Sequence, residues 1–467
     1  MKDLTQGNIY KNFFLFSIPI VLSTIFSSAF SIINTSIAGL FLGAEGLATT
    51  SVTSSYIIIM SYLITGQSYG LSVYAANLFG AKDYDRLKRV FYSNAFLVFC
   101  ALVCFTGISI CFSTPILRFL NVDEHIFDDA AQYFVFHCIA FTISGVNTMF
   151  MTCCHSMGET KFPLIVSFLS ALLSVLGNLL TVAVLDLGVI GLGISSIFAN
   201  FVVFCLYWFR LRGYFRQLGV GTKIPKPSWR EVKPLFAYSL PNIFQQCSMG
   251  AAAFLIAPLR NGLGYLIVAA YSISTNIHNY ITQLYYSASK TASNYIAQCV
   301  GAKKYHKIKK AVSTALLQGY VFFFVLLIPI CIFSEFVGGL FINKATDPEV
   351  FEYVQIYIRI YLPFLSLHVF CGIFHSILRG IKSNTHLIIA SLGGSVINLI
   401  ATYFLAPTFG IHGLFSAQVI GWAFECIYIG ILCLTGLWVP SPLRPMVLKR
   451  KTKAPEAPSE SSKSVLS

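Results

Sequence analysis

The sequence predicts an all-α membrane protein whose twelve transmembrane helices form two related sets of six. Three observations carry that expectation. First, the 467 residues are 56% hydrophobic and only 11% charged, with a mean hydropathy of +0.73. Soluble domains average roughly 25% charged residues, and so few charges cannot cover so large an apolar core unless the solvent is lipid. Second, landmarks of the first half return in order in the second. Ser17-Ile18-Pro19 returns as Ser239-Leu240-Pro241, 222 residues on, and Gly80-Ala81-Lys82 as Gly301-Ala302-Lys303, 221 on. Asn178 returns as Asn398, 220 on, and Gly188-Val189-Ile190-Gly191 as Gly410-Ile411-His412-Gly413, 222 on. Near-constant spacing argues for an internal duplication. Third, basic residues fall in alternate loops, as a polytopic protein requires.

Taken in order, residues 1–12 are a short polar N-terminus. The first apolar run is too long for the core of a signal peptide, so no cleaved leader is expected. The first six-helix lobe, 13–209, has spans near Phe13–Leu40, Ser51–Phe79, Val90–Phe112, Ala130–Cys154, Pro163–Leu185 and Ile190–Phe209. A basic linker, 210–233, carries Arg210, Arg212, Arg216, Lys223, Lys226, Arg230 and Lys233 against one acid, Glu231. The second lobe, 234–438, has spans near Leu235–Pro258, Ile267–Val300, Val312–Phe333, Val350–Leu378, Leu387–Ala406 and Gly413–Trp438. Each is near or above the ~20 residues a bilayer needs. The tail, 439–467, is basic and then polar, and is expected to be disordered, with Lys449-Arg450-Lys451 against anionic headgroups.

The charges test the span count. Lys82, Arg86, Lys88 and Arg89, then Lys161, the linker, the Lys303–Lys310 cluster, Arg379 and Lys382 all fall on one side. The opposite loops hold only Arg118, Arg260 and Lys344. The positive-inside rule places the linker and both termini in the cytoplasm. The net charge of +14 is thus a membrane-topology signal and does not point to nucleic acid. The thirteen cysteines are scattered through apolar runs without metal-ligand spacing. No nucleophile elbow, phosphate loop or metal cluster appears, so neither an enzyme, a cofactor nor a bound metal is expected.

Leu4-Thr5-Gln6-Gly7-Asn8-Ile9, the Ser17-Ile18-Pro19 entry and Gly39-Leu40-Phe41-Leu42-Gly43 resemble the multidrug and toxic compound extrusion (MATE) family. So do Gly66-Gln67-Ser68-Tyr69-Gly70, Leu78-Phe79-Gly80-Ala81-Lys82, Ala297-Gln298 with Gly301-Ala302-Lys303, and Leu378-Arg379-Gly380. The resemblance runs to about Trp438 and lies nearest the bacterial DNA-damage-inducible-F-like and staphylococcal-type exporters. It implies two six-helix lobes related by pseudo-two-fold symmetry, a central cavity that alternates its opening, and cation-driven export of amphipathic organic molecules. On physical grounds alone, Pro19 and Pro241 are pivots or ordinary helix-start prolines. Gly80-Ala81-Lys82 reads as a helix C-cap with a cation for the dipole.

Coupled export needs a titrating group inside the membrane, and here the sequence departs from the family. Where many bacterial relatives carry an aspartate on the first span, this chain has Asn34, which bonds but does not titrate. Asn178 matches the first member of an Asn/Asp pair used by archaeal-type members, but Val182 stands where the acid would be. The seventh span has no acid between Pro241 and Pro258, and the aspartate some relatives carry on the tenth span is matched by His368. The remaining candidates for the substrate and ion pathway are Lys290, Asn398 and Glu425, together with Asn34, Asn178 and His368. A charged lysine at the bilayer centre costs about 2.5–3.5 kcal/mol on insertion scales, so Lys290 should face a cavity, snorkel or pair, with Glu425 one possible partner. A lysine in the cavity would favour anionic or zwitterionic cargo. Tyr69, Tyr74, Tyr280, Tyr285 and Tyr286 are candidates to line a cavity by stacking.

These features predict a monomeric secondary transporter of the bacterial cytoplasmic membrane. It exchanges an amphipathic organic solute for H+ or Na+, with lipid as its surroundings. Two alternatives stand beside it: a flippase for a lipid-linked saccharide from the wider MOP superfamily, and a non-transporting membrane receptor or scaffold.

Overall fold

The computed structural model describes residues 3–448 other than 121, 222 and 343. Among the described residues there is no strand. Twelve long helices run in order: α1 (Ile9–Gly43), α2 (Glu45–Ile58 and Met60–Gly80, bent by 45°), α3 (Tyr84–Cys111), α4 (Glu124–Ser156), α5 (Lys161–Val184) and α6 (Gly188–Gln217), then α7 (Trp229–Asn261), α8 (Tyr265–Gly301), α9 (Tyr305–Ile332), α10 (Pro348–Gly380), α11 (Asn384–Phe409) and α12 (Ile411–Thr435). Among the described residues, nine single helices are long and apolar enough to cross a bilayer, and the bent α2 makes ten. The other two, α7 and α8, are 33 and 37 residues long. Length suits them for crossing, but they are richer in polar residues than the other ten. Among them, Lys290, Ser293 and Asn294 of α8 line a pocket between the lobes, and Gln245 of α7 accepts from Arg379 on its wall.

The duplication is written into the backbone. The break between α1 and α2 falls at Gly43 (φ 65°), and that before α8 at Gly264 (φ 100°). Gly188 and Gly410, which open α6 and α12, both have φ 58°. Lys82 and Lys303 follow α2 and α8 at φ 60° and 57°. In each of these turns the helix closes through a six-to-one bond, Asp83 N–H to Leu78 O at 3.0 Å and Lys304 N–H to Cys299 O at 2.8 Å. The left-handed position is therefore the lysine, and Gly80 and Gly301 serve something else. An L side chain in that region costs about 1–2 kcal/mol, and glycine is the preferred occupant of this cap. Lys82→Gly is expected to raise stability by about 1 kcal/mol, read as a higher melting temperature in detergent. A lower one would show that the ammonium's contacts outweigh the backbone strain.

The end of the molecule that holds the central connection and these basic turns is called the basic end. The connection is shorter than the sequence implies. Arg210, Arg212 and Arg216 belong to α6, Arg230 and Lys233 to α7, and only 218–228 lies between helices. It and the first turn of α7 are tied to α3: Lys88 Nζ donates to Gly221 O, and Glu231 accepts from Arg89 at 2.9 Å with Arg86 at 3.6 Å. The tail also differs from expectation at its start. Residues 439–448 fold back as a turn and a short helix, Arg444–Leu448, with Val439 and Val447 buried in the second-lobe core. Residues 449–467, with Lys449-Arg450-Lys451, lie outside the described residues.

The lobes exchange their leading segments. Phe13, Phe16 and Ile20 of α1 are buried in the core built by α8, α9 and α10, where Phe13 packs on Tyr295 at 5.1 Å between ring centroids. Val232 and Leu235 of α7 are buried in the core of α2, α3, α4 and α6. Upstream of α1, Leu4 N–H donates to Gln298 Oε1 at 3.0 Å, and Lys304 and Lys307 donate to Thr5 at 2.7 and 2.6 Å. Asp3 accepts from Thr5 N and Oγ1 and from Gln6 Nε2. Burial alone would raise the Asp3 carboxyl, but those bonds and the Lys304 charge outweigh it and hold it below its ordinary 3.8. A carboxyl depressed by folding contributes stability that is present above its unfolded pKa and lost as pH falls through the lower folded value. Amide exchange of residues 5–12, corrected for intrinsic rates, should rise as pH drops below about 4. Asp3→Asn should remove that dependence, and an unchanged profile would place the anchor elsewhere.

Candidate functional site

The lobes touch where their helices lack side chains. A Cβ on Gly80 would overlap the Gln298 carbonyl, and one on Gly301 would overlap the Asn77 carbonyl. Gly70 lies against Ser239 and Gly66 against Ile243 in the same way. These approaches press α2 onto α7 and α8 in the basic half of the molecule. Gln298 Nε2 to Ser156 O at 2.8 Å and Ser72 Oγ to Asn294 Oδ1 at 2.8 Å bond across the same seam. Farther from the basic end lie Ser28 Oγ to Gln283 Oε1 at 3.2 Å, and Gly250 against the Tyr62 ring, both about half-way along their helices.

Three polar regions are built on this frame. The first is a small pocket between the lobes, lined by Ser68, Tyr69 and Ser72 of α2, Thr152 and His155 of α4, Lys290, Ser293 and Asn294 of α8, and Ser376 and Arg379 of α10. About 20 Å³ is free at its centre, room for a water. The second is a cavity of about 350 Å³ inside the first lobe, walled by serines and asparagines with Phe30, Met151 and Tyr207. Asn34 lies on its wall. Its Nδ2 donates to Ser174 Oγ at 3.1 Å, and its Oδ1 accepts from Asn178 Nδ2 at 2.9 Å. Asn178 in turn accepts from Ser195 Oγ. Directly after Asn178 the helix loosens into a π turn, Leu179–Val184, a feature common at functional positions. Asn178→Ala would leave Asn34 and Ser195 without their shared amide. We expect about 1–3 kcal/mol of destabilisation, measured by denaturant unfolding, whereas Asn200→Ala should cost less.

The third region is a chain of polar side chains through the second lobe. Glu425 on α12 is 8% exposed, and its Oε2 lies 3.5 Å from His375 Nε2, an ion-pair distance without hydrogen-bond alignment. His375 Nδ1 meets Gln245 Nε2 at 3.4 Å, and Gln245 Oε1 accepts from Arg379 Nη2 at 2.7 Å. Because the glutamine oxygen is engaged by arginine, its amide nitrogen faces Nδ1, and the neutral ring carries its proton on Nε2, toward Glu425. The Arg379 guanidinium then covers the Tyr69 ring at 4.1 Å. The series Glu425–His375–Gln245–Arg379 thus runs from the lobe interior to the pocket between the lobes. Beside it, Tyr285 OH and His368 Nδ1 share a bond of 2.7 Å, and His368 and His278 both stack on Trp422.

The candidates therefore separate. Asn34 and Asn178 come together, as do His368, Tyr285 and Tyr286, whose ring packs on Tyr285 at 5.0 Å. Lys290 and Tyr69 share the inter-lobe pocket. Glu425 faces His375 and not Lys290. Asn398 packs under Gly421 and accepts from Thr402 at 3.4 Å, within the α11–α12 pair. Tyr74 is buried against Tyr238 at 4.9 Å in the first-lobe core, and Tyr280 joins none of the three regions. His155, Gln245, His375 and Arg379 were not anticipated. One signal was available: His368, His375 and Arg379 are spaced by 7 and 4, which puts them on one helix face.

Two six-helix repeats, closed against each other around polar pockets, define the class: a membrane transporter and not an enzyme. The MatE family model matches residues 19–180 and 241–404, once in each lobe, and the chain belongs to that family. It is similar to the probable multidrug resistance protein YpnP of Bacillus subtilis, 24% identical over 89% of this chain and 90% of that one. It is also similar to an FAD transporter of Shewanella oneidensis, 22% identical over 68% and 71%. Among solved structures it resembles a MOP superfamily transporter from Pyrococcus furiosus, with a TM-score of 0.85 and 18% identity over 94% of this chain and 98% of that one.

Proposed function

We propose that this protein exports amphipathic organic molecules across the cell membrane by alternating access, as an antiporter driven by protons. The observation that carries the reading is the seam of side-chain-free contacts at Gly80 and Gly301, which lies at one end of a polar centre. With the basic end in the cytoplasm, this is the outward-facing state, and parting that seam would give the inward-facing one. The first-lobe cavity is of a size for a drug-like molecule. Coupling is assigned to Glu425 with His375, since Asn34 and Asn178 cannot titrate. Export from vesicles under imposed pH or sodium gradients tests this. Dependence on a sodium gradient alone would reject the proton, and export indifferent to both would reject antiport.

A second reading, flipping of a lipid-linked saccharide, is favoured by one feature, the two cations of the inter-lobe pocket. A reconstituted assay with a fluorescent isoprenoid-diphosphate sugar separates the two.

A further inference from the structure

The pocket between the lobes has a chemistry that export as such leaves open. Its lining repeats across the pseudo-two-fold. Tyr69 and Lys290, Ser72 and Ser293, and His155 and Ser376 are each separated by 221 residues, the offset that relates Gly80 to Gly301. A site on that axis belongs to both lobes and is remade whenever they rock. Its lining contains two cations, Lys290 and Arg379, and no carboxylate. Arg379 is only 8% exposed; one nitrogen is held by Gln245, but its Nε has no hydrogen-bond partner. Lys290 Nζ has no hydrogen-bond or ion-pair partner among the described residues. The buried acid of the second lobe, Glu425, is turned to His375. Eleven residues separate Lys290 from Gly301, about 16 Å along a helix, so the ammonium lies at hydrocarbon depth, where charge calls for a partner.

We propose that this pocket is an oxyanion site: it takes the carboxylate, phosphate or sulfonate of an amphipathic cargo, with Lys290 and Arg379 as its donors. The assignment rests on the transport reading above and names its substrate class. The Ser293 hydroxyl adds a donor to the lining, whereas those of Ser72 and Thr152 already donate to Asn294 Oδ1 and Thr148 O. The closed pocket holds a water but not a carboxylate with its carbon. Binding therefore belongs to the state open at the basic end, and closure at Gly80 and Gly301 expels the group.

Fluorescein and rhodamine 6G share a xanthene ring and differ in charge, so the pair tests the site. Fluorescence polarisation with the purified full chain should show fluorescein binding at least tenfold tighter than rhodamine 6G. Lys290→Met should abolish that preference, and Lys290→Arg should keep it within threefold. Equal binding of the two dyes to the parent, or an undiminished preference in Lys290→Met, overturns the site. If Lys290→Met fails to fold in a melting assay, Lys290→Gln against Lys290→Arg makes the same comparison. Export of both dyes from proteoliposomes separates this proposal from the reading beneath it. Fluorescein bound but not exported sinks export and leaves the oxyanion site. Rhodamine 6G exported in preference to fluorescein sinks the oxyanion site and leaves export. Competition then identifies the source of the anion. Displacement of fluorescein by flavin mononucleotide marks a soluble cargo, displacement by farnesyl diphosphate alone marks a lipid phosphate, and displacement by neither counts against the site.

Discussion

Gly301→Val is expected to reduce export at least tenfold while leaving the helices folded. The side chain has nowhere to go. Its Cβ would overlap the Asn77 carbonyl and lie 3.0 Å from the Ala81 nitrogen, and both are backbone, which cannot rotate aside. Overpacking a tight core costs typically 1–3 kcal/mol. Here the cost falls on only one of two states, because parting the lobes relieves it. A bias of that size shifts a two-state equilibrium by about one to two decades. Spin labels at positions 82 and 303, in a cysteine-free background, should show the basic ends of α2 and α8 moving apart. Gly107→Ala, which meets nothing within 4 Å, is the matched control. An unchanged label distance with full export would mean that the seam is not the gate.

Glu425→Gln should cost gradient-driven export a similar factor and leave exchange of labelled for unlabelled cargo near the parental rate. Glutamine keeps the shape and the polar contact but cannot release a proton. Space is tight: a Cβ on Gly394 would meet the glutamate side chain, so larger replacements would confound packing with chemistry. The groups facing the carboxyl are His375 from α10 and the Cys371–Cys426 thiol pair, with sulfurs 3.4 Å apart. His375→Gln should weaken coupling as well, since the path to Gln245 and Arg379 passes through that ring. If Glu425→Gln still exported against an imposed proton gradient at the parental rate, the coupling group would have to be sought elsewhere.

The architecture was legible because lipid imposes one rule, an apolar run long enough to cross, and because duplication prints the same turn twice. Even α7 and α8, richer in polar residues, could be placed from the repeat. Two kinds of feature were hidden. Gly80 read as a helix cap, with Gly301 as its repeat, since a sequence shows a helix ending but not what crosses it; the left-handed turn falls to Lys82 and Lys303 instead. Arg379 read as a basic loop residue beyond the tenth span, yet side chains lean toward a helix N-terminus, and its guanidinium reaches back to Tyr69. Glu425 was visible as a deep acid, but its neighbour was not, because α10 and α12 meet only once the lobe is assembled.

The exchange of leading segments between lobes bears on how the chain is made. Residues 4–20 leave the ribosome ahead of the helices they rest on, for Gln298, Tyr295 and Gln318 are synthesised almost three hundred residues later. The opening turn must wait at the bilayer surface until α8 and α9 have been inserted. Assembly thus finishes on a segment made long before its partners, and a nascent polypeptide arrested before α9 should leave residues 4–20 open to protease.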